Sequence, residues 1–310
     1  MLTLIHEQMN ERITVFAQVD YIKGSCIQNR NAPAFLSYRA ASSSPFLRRG
    51  RQLWAVIFLS LFCGNAPAQT TVVAVRTPTE IVVGADSKGL AGDVTTSRSM
   101  CKIGHVGNFL FAYAGHGGDT VTGFNPAAVA TKAGNTQGTI LEKARRFEAE
   151  VKEPLVVSLT LLRQINPRLY KVVAEDVPPL QAIFFGAEKG VPVLYEATFK
   201  SGVSASGAVE VGSSIKEVAV GPSADRNVVV LGQRRDIDSI LIAYPNFWGI
   251  GLVDGVRWLV RLEAITQPLT VGTPVDLVRL DKSGVRWIQR KPECEEKKGA
   301  EPRSKRARRG

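Results

Sequence analysis

Histidine is scarce. The 310 residues hold three, His6, His105 and His116, so a Ser-His-Asp hydrolase has two candidate bases at most. Cysteine is scarce too, at Cys26, Cys63, Cys101 and Cys294. Cys63 lies in an apolar segment expected to be removed. At most Cys101 and Cys294 then stay in the mature product, too few for a disulfide framework. No Cys-x-x-Cys or Cys/His spacing marks a metal site, and no cofactor is expected. The apolar run at 52–63 is short of the roughly 20 residues a bilayer span needs, so no stable membrane span is expected. No internal repeat is visible.

Acidic residues are outnumbered, and the formal net charge is +11. That balance alone suggests nucleic acid or a membrane surface. Its distribution argues otherwise. Residues 1–68 carry seven Lys/Arg against three acids, residues 291–310 carry eight against four, and 69–290 retain only +3. The basicity sits on the ends, so no specific nucleic-acid partner is expected. Past Lys291 the chain is charged and free of aromatics, which reads as a basic disordered tail over 291–310.

Residues 48–69 have the three parts of a secretory signal peptide. Arg48, Arg49 and Arg51 open it, the apolar run from Leu53 to Cys63 follows, and Ala66-Pro67-Ala68 ends it. The expected localisation is secreted or periplasmic. Signal peptides are N-terminal, yet 47 residues precede this one. The reading is that translation starts near Leu47 and that 1–47 is an untranslated or disordered leader.

What is present from Thr70 onward is a run of short β-rich segments and two groups of helical segments. Thr70–Val75 and Glu80–Asp86 read as a hairpin, with Arg76–Thr79 as the turn. Residues 89–93 read as a loop. Lys102–His105 and Phe109–Ala114 form a second hairpin. Helices are expected near 138–152 and 155–170, with the Gly-, Ala- and Thr-rich stretch 115–139 leading in. Strands follow at 181–185, 191–198, 208–211, 216–220 and 228–232, then helices near 236–245 and 253–266. A last hairpin joins 275–280 to 285–289 through Asp281-Lys282-Ser283-Gly284. Antiparallel strands flanked by two helix pairs fit an α+β fold, a four-layer αββα sandwich over 70–290.

The first hairpin places chemistry. With a turn centred on Pro78, paired residues sum to 156, and Thr70 faces Asp86 at about 5 Å across the ladder. Cleavage before Thr70 would free its α-amine, whose pKa of roughly 8 suits a base at neutral pH. That amine could take the proton from Thr70 Oγ1. A lysine nearby would disfavour the charged amine and stabilise an alkoxide, and a carboxylate would hold the lysine. Lys102 and Asp86 are the candidates.

On these residues the chain resembles the N-terminal-nucleophile hydrolases of the proteasome β-subunit and HslV type. The intervals Thr70 to Asp86 and Asp86 to Lys102 are both sixteen residues, equal to the β-subunit spacing. The segments Thr70–Val75, Val82–Ser87, Cys101–Gly104 and Ala112–Gly115 match the family's text. The glycine turn Gly115-His116-Gly117-Gly118 matches the one whose backbone amide forms the oxyanion hole, with Gly115 or His116 as donor. The resemblance implies a threonine peptidase or amide hydrolase that works through an acyl-enzyme. Its substrate would be a peptide or small amide, and a homo-oligomer is one expected assembly. It also implies an acid near 265–272 and a serine near 231–234 that support the threonine, and neither is there. Cleavage after Ala68 leaves Gln69 ahead of Thr70, so exposure of the threonine requires cleavage after Gln69, trimming or autolysis.

Two other readings stay beside this one: a catalytically silent β-subunit-like scaffold, and a non-peptidase amidase on the same fold. Ser213-Ser214-Ile215-Lys216 has the Ser-x-x-Lys spacing of penicillin-recognising enzymes but lacks their other motifs. The glycine turn lacks the Gly-Lys-Ser/Thr of a phosphate loop.

Overall fold

In the computed structural model, residues 70–91 and 93–294 are described, and for 90–91 and 93–98 the backbone alone. The leader, the signal segment and 295–310 lie outside the described residues.

Strands β1 (Thr71–Arg76) and β2 (Glu80–Ala85) are apolar on both faces and buried along almost their whole length. Neither alternates, because neither has a face on solvent. Val72, Ala74, Ile81, Val83 and Ala85 point one way, into a core shared with a second sheet. Residues between them point the other way, under helices: a Cβ on Gly84 would lie 2.6 Å from Val256 and 3.4 Å from Val260.

The remaining strands are β3 (Lys88–Ala91), β4 (Asp93–Ser99), β5 (Ile103–Val106), β6 (Phe109–Gly115), β7 (Leu180–Glu188), β8 (Val191–Val203), β9 (Val209–Glu217), β10 (Asn227–Gly232), β11 (Asp276–Asp281) and β12 (Gly284–Gln289). They form two five-stranded antiparallel sheets, ordered β10-β1-β2-β11-β12 and β5-β6-β7-β8-β9, and a separate β3–β4 ribbon. The five helices are α1 (Pro126–Gly134), α2 (Ile140–Ile165), α3 (Pro167–Tyr170), α4 (Arg235–Ala243) and α5 (Leu252–Thr266).

Ile103, Leu110, Ala112, Ala114, Ile183 and Phe185 fill the space between the sheets from the second side. That sheet's outer face, with Phe109, Phe184 and Phe199, packs on α1 and α2 through Ala130, Ala133, Phe147, Leu155 and Leu159. Helix α5 lies on β1 and β2. The molecule is therefore a mixed α/β sandwich of two antiparallel sheets with helices on both outer faces. Each fully buried Val, Leu or Phe contributes roughly 1.5–3 kcal/mol.

Four elements differ from expectation. The first helix pair is not split at Pro154. Helix α2 runs 26 residues through that proline, started by a Thr139–Glu142 capping box. Pro154 removes one helical bond, at a cost of about 3 kcal/mol. Val151 before it and Leu155 and Leu159 after it are fully buried on the sheet, and that packing holds the helix together. The other member of the pair is α1, inside the stretch read as a lead-in. Asn125 caps it by accepting from Ala128 N, and Pro126 occupies its first turn. Strand β9 is continuous where two strands were expected, because Gly212, Ser213 and Ser214 pair with Lys200, Phe199 and Thr198 of the long strand β8. Of the loop expected at 89–93, Gly89–Ala91 belong to strand β3 and Asp93 begins β4.

The domain also runs past 290. Lys291 is buried, Pro292–Cys294 form a 3-10 turn, and Cys294 is disulfide-bonded to Cys101. The packed chain therefore extends at least four residues beyond the expected boundary. Two cysteines make no framework, but they do make one bridge.

Candidate active site

Asp86 follows the last residue of β2 and is fully buried. Burying a carboxylate is costly unless its oxygens are occupied, and here both are. Oδ1 accepts Thr71 N at 3.0 Å and Lys102 Nζ at 2.7 Å. Oδ2 accepts Lys88 N at 2.9 Å and Gly272 N at 3.1 Å. Four donors from four separate segments converge on one side chain. Lys102, just ahead of β5, is 3% exposed. Burial holds its ammonium below the ordinary lysine value of 10.5, against the opposing pull of Asp86.

The expected hairpin register is off by one. Val72 pairs with Ala85 and Arg76 with Ile81, so paired residues sum to 157. The turn is centred between Pro78 and Thr79, closed by Thr77 N donating to Glu80 O at 2.9 Å. Thr71, not Thr70, therefore stands opposite Asp86. The correction leaves Thr70 beside the pair. Asp86 grips the amide of the Thr70–Thr71 peptide, and Lys102 shares that same oxygen. Strand alternation puts Thr70 on the side of Val72, between the sheets. Thr70 is buried, and its carbonyl accepts Gln233 N at 3.0 Å.

Beside it lies the end of β10. Gly232 has φ +74°, and a Cβ there would fall 1.8 Å from Thr70 O and 3.1 Å from Ala114 Cβ. Only glycine lets the Thr70 backbone approach this closely. Ala114 of β6 packs against the same glycine.

The glycine turn separates the two oxyanion candidates. His116 N donates to Pro179 O at 2.6 Å, so its amide is already committed, contrary to one of the two expectations. Gly115 pairs with Leu180 one register step earlier. Successive amides of a strand point to opposite edges, so the Gly115 N–H points away from β7. It is aimed at the β5 side, where β5 begins only at Ile103. Gly115 takes φ +100°, and a Cβ would meet Pro179 O at 2.4 Å.

The His116 side chain turns to another cluster. Its Nε2 lies 2.7 Å from Ser158 Oγ on α2, and Ser158 donates to Asp119. Its ring stacks on Phe124 at 5.3 Å. Burial pushes the His116 pKa down, opposed by Asp119.

From the two segments where an acid and a serine were expected, only main chain makes the contacts described next. The 265–272 segment reaches the site through Gly272 N, and 231–234 through Gln233, whose carbonyl accepts Thr71 Oγ1 at 3.2 Å. Sequence reasoning missed these contacts and also Asp276 and Lys291, a second buried ion pair at 3.2 Å. No motif marks either residue. Among the described residues no cluster of metal-ligating side chains occurs, and no helix is long and apolar enough to cross a membrane.

No family model matches this chain, and no curated protein is similar to it.

Proposed function

We propose that the chain is an N-terminal-threonine hydrolase of the proteasome β-subunit type, acting on peptide or small amide bonds. The observation that carries this reading is the buried Lys102–Asp86 pair, whose shared oxygen also holds the Thr71 amide. Once Gln69 is removed, the freed Thr70 amine lies next to a buried ammonium. A neighbouring positive charge lowers an amine's pKa and favours the neutral, basic form. The amine takes the proton from Thr70 Oγ1, and Oγ1 attacks the scissile carbonyl. The Gly115 N–H is the oxyanion donor, and the protonated amine returns its proton to the leaving amine. Water then releases the acyl group. The antiparallel sandwich with helices outside supports the fold half of this reading. The Cys101–Cys294 bridge supports an exported, oxidising setting.

One observation favours the silent-scaffold alternative. Main chain of Gln233 and Gly272, rather than a serine or an acid side chain, meets the Thr71–Asp86 region from 231–234 and 265–272. A single experiment separates the two: intact mass of the exported protein after treatment with a β-lactone probe. An enzyme shows a Thr70 N-terminus with one adduct, lost in Thr70→Ala, and cleaves fluorogenic peptides or small amides. A retained Gln69 with no adduct overturns the enzyme reading.

A further inference from the structure

Lysine is rarely buried without a reason, and Lys291 is buried completely near the end of the described chain. Its Nζ lies 3.2 Å from Asp276 Oδ2 and donates to Met100 O, and its own N–H donates to Asp276 Oδ1 at 2.9 Å. Asp276 stands opposite Ala85, the residue before Asp86. Met100 is also held from the other side, its N–H donating to Ser87 O at 2.7 Å. The next residue, Cys101, is bonded to Cys294, and Cys294 N closes its turn on Lys291 O at 2.9 Å. Lys102 follows directly. The two residues that deliver Lys102 to Asp86, Met100 and Cys101, are thus clamped between the end of β2 and the 291–294 turn.

We propose that Lys291 is a positioning residue for the Lys102–Asp86 pair, fixed in place by Asp276 and by the Cys101–Cys294 bridge. The proposal rests on Lys102 being part of the site described above. Lys291 acts in two ways. It pins the Met100 carbonyl, and it sets a second buried positive charge beside Lys102. Like charges in a shared low-dielectric region disfavour each other's charged form, and the direction of the Lys102 shift includes this contribution from Lys291. The charged groups that bear on Lys102 are Asp86 from the end of β2 and Lys291 from the C-terminal turn, the latter paired with Asp276 of β11. The Lys88 ammonium instead binds Pro268 O, and Glu293 binds Ser99 at the surface. A structural pin alone would leave the titration of Lys102 where it is.

The test is an NMR titration of the Lys102 ammonium in the full chain carrying ¹⁵N-lysine, assigned through Lys102→Arg. It is run beside the pH profile of Thr70 acylation by a β-lactone. The paired change Lys291→Met with Asp276→Asn removes both charges without leaving either buried alone. It is expected to raise the Lys102 pKa, by removing the like charge of Lys291, and to move the acid limb of the acylation profile. Lys291→Arg should restore both. The pair Cys101→Ser with Cys294→Ser should shift them in the same direction by less, and it carries the test if the first pair does not fold. An unchanged Lys102 titration in a folded variant overturns the proposal. If Thr70 is never acylated while Lys102 still responds to Lys291, the hydrolase reading fails and the coupling stands.

Discussion

Two polar clusters contain the residue types of hydrolytic catalysis, and they are built differently. Around Asp86, a fully buried carboxylate gathers three backbone amides and one lysine from segments scattered between Thr71 and Gly272. Around Asp119, the partners Thr122 and His116 are half-buried in the 116–124 loop, and Ser158 is buried on α2. Both include an acid, a hydroxyl and a base. In the second, the serine lies between the histidine and the aspartate, whereas a triad needs the histidine in the middle. Ser158 is therefore a bridge that ties the 116–124 loop to α2, not a nucleophile. Residue types do not make a site; the order of the bonds among them does.

The largest expected effect is on the first cluster. Asp86→Ala leaves Lys102 buried with no counter-charge, which costs about 3–5 kcal/mol. Urea unfolding measures the loss, and Thr70 acylation should vanish with it. A loss under 1 kcal/mol would show that this cluster is no better consolidated than the other. Gly115→Ala comes next. Its positive φ and the approach to Pro179 O displace the amide, so turnover should fall by about 10²-fold. Stability should drop by only about 1–3 kcal/mol. If turnover survives unchanged, the oxyanion donor lies elsewhere.

Ser158→Ala removes the bridge of the second cluster and should cost about 1–3 kcal/mol with turnover within a few-fold of the parent. A collapse in turnover at unchanged stability would reverse the ranking of the two clusters. The smallest effect is electrostatic. Burial sets the folded pKa of His116 below its ordinary value of 6.5. The unfolded chain then takes up the proton first, so stability is full above pH 6.5 and falls as pH drops through it toward the folded value. Melting curves between pH 5 and 8 should show this slope, and His116→Gln should flatten it. An identical slope in the variant would place the titrating group elsewhere.

Much of the fold was legible. β1, β2, β6 and β7 are apolar runs bounded by turn residues, and such runs have little choice but to be strands in a core. The helices were harder. Pro154 looked like a break, and only the sheet beneath Val151 and Leu155 shows why it is not. The alanine-rich segment of α1 carries weak periodicity, and its start depends on a cap from Asn125. In the site, the spacing of Asp86 and Lys102 found a real pair. The register assigned to it was wrong by one, because a proline near a turn does not say whether the turn is centred on it or beside it.

By itself the sequence determined that segments such as β1, β2, β6 and β7 are strands and that one aspartate and one lysine would be singled out by spacing. Both follow from local chemistry: apolar runs, turn residues and fixed intervals along the chain. Only the tertiary structure decided that Thr71 and not Thr70 faces Asp86, that the His116 amide is bonded to Pro179, and that main chain of Gly272 and Gln233 reaches Asp86 and Thr71. It alone brought Lys291 and Cys294 back beside Lys102, across 193 residues between the bridged cysteines. Backbone donors and long-range pairings leave no signature in residue type, because every residue but proline carries the same N–H and carbonyl.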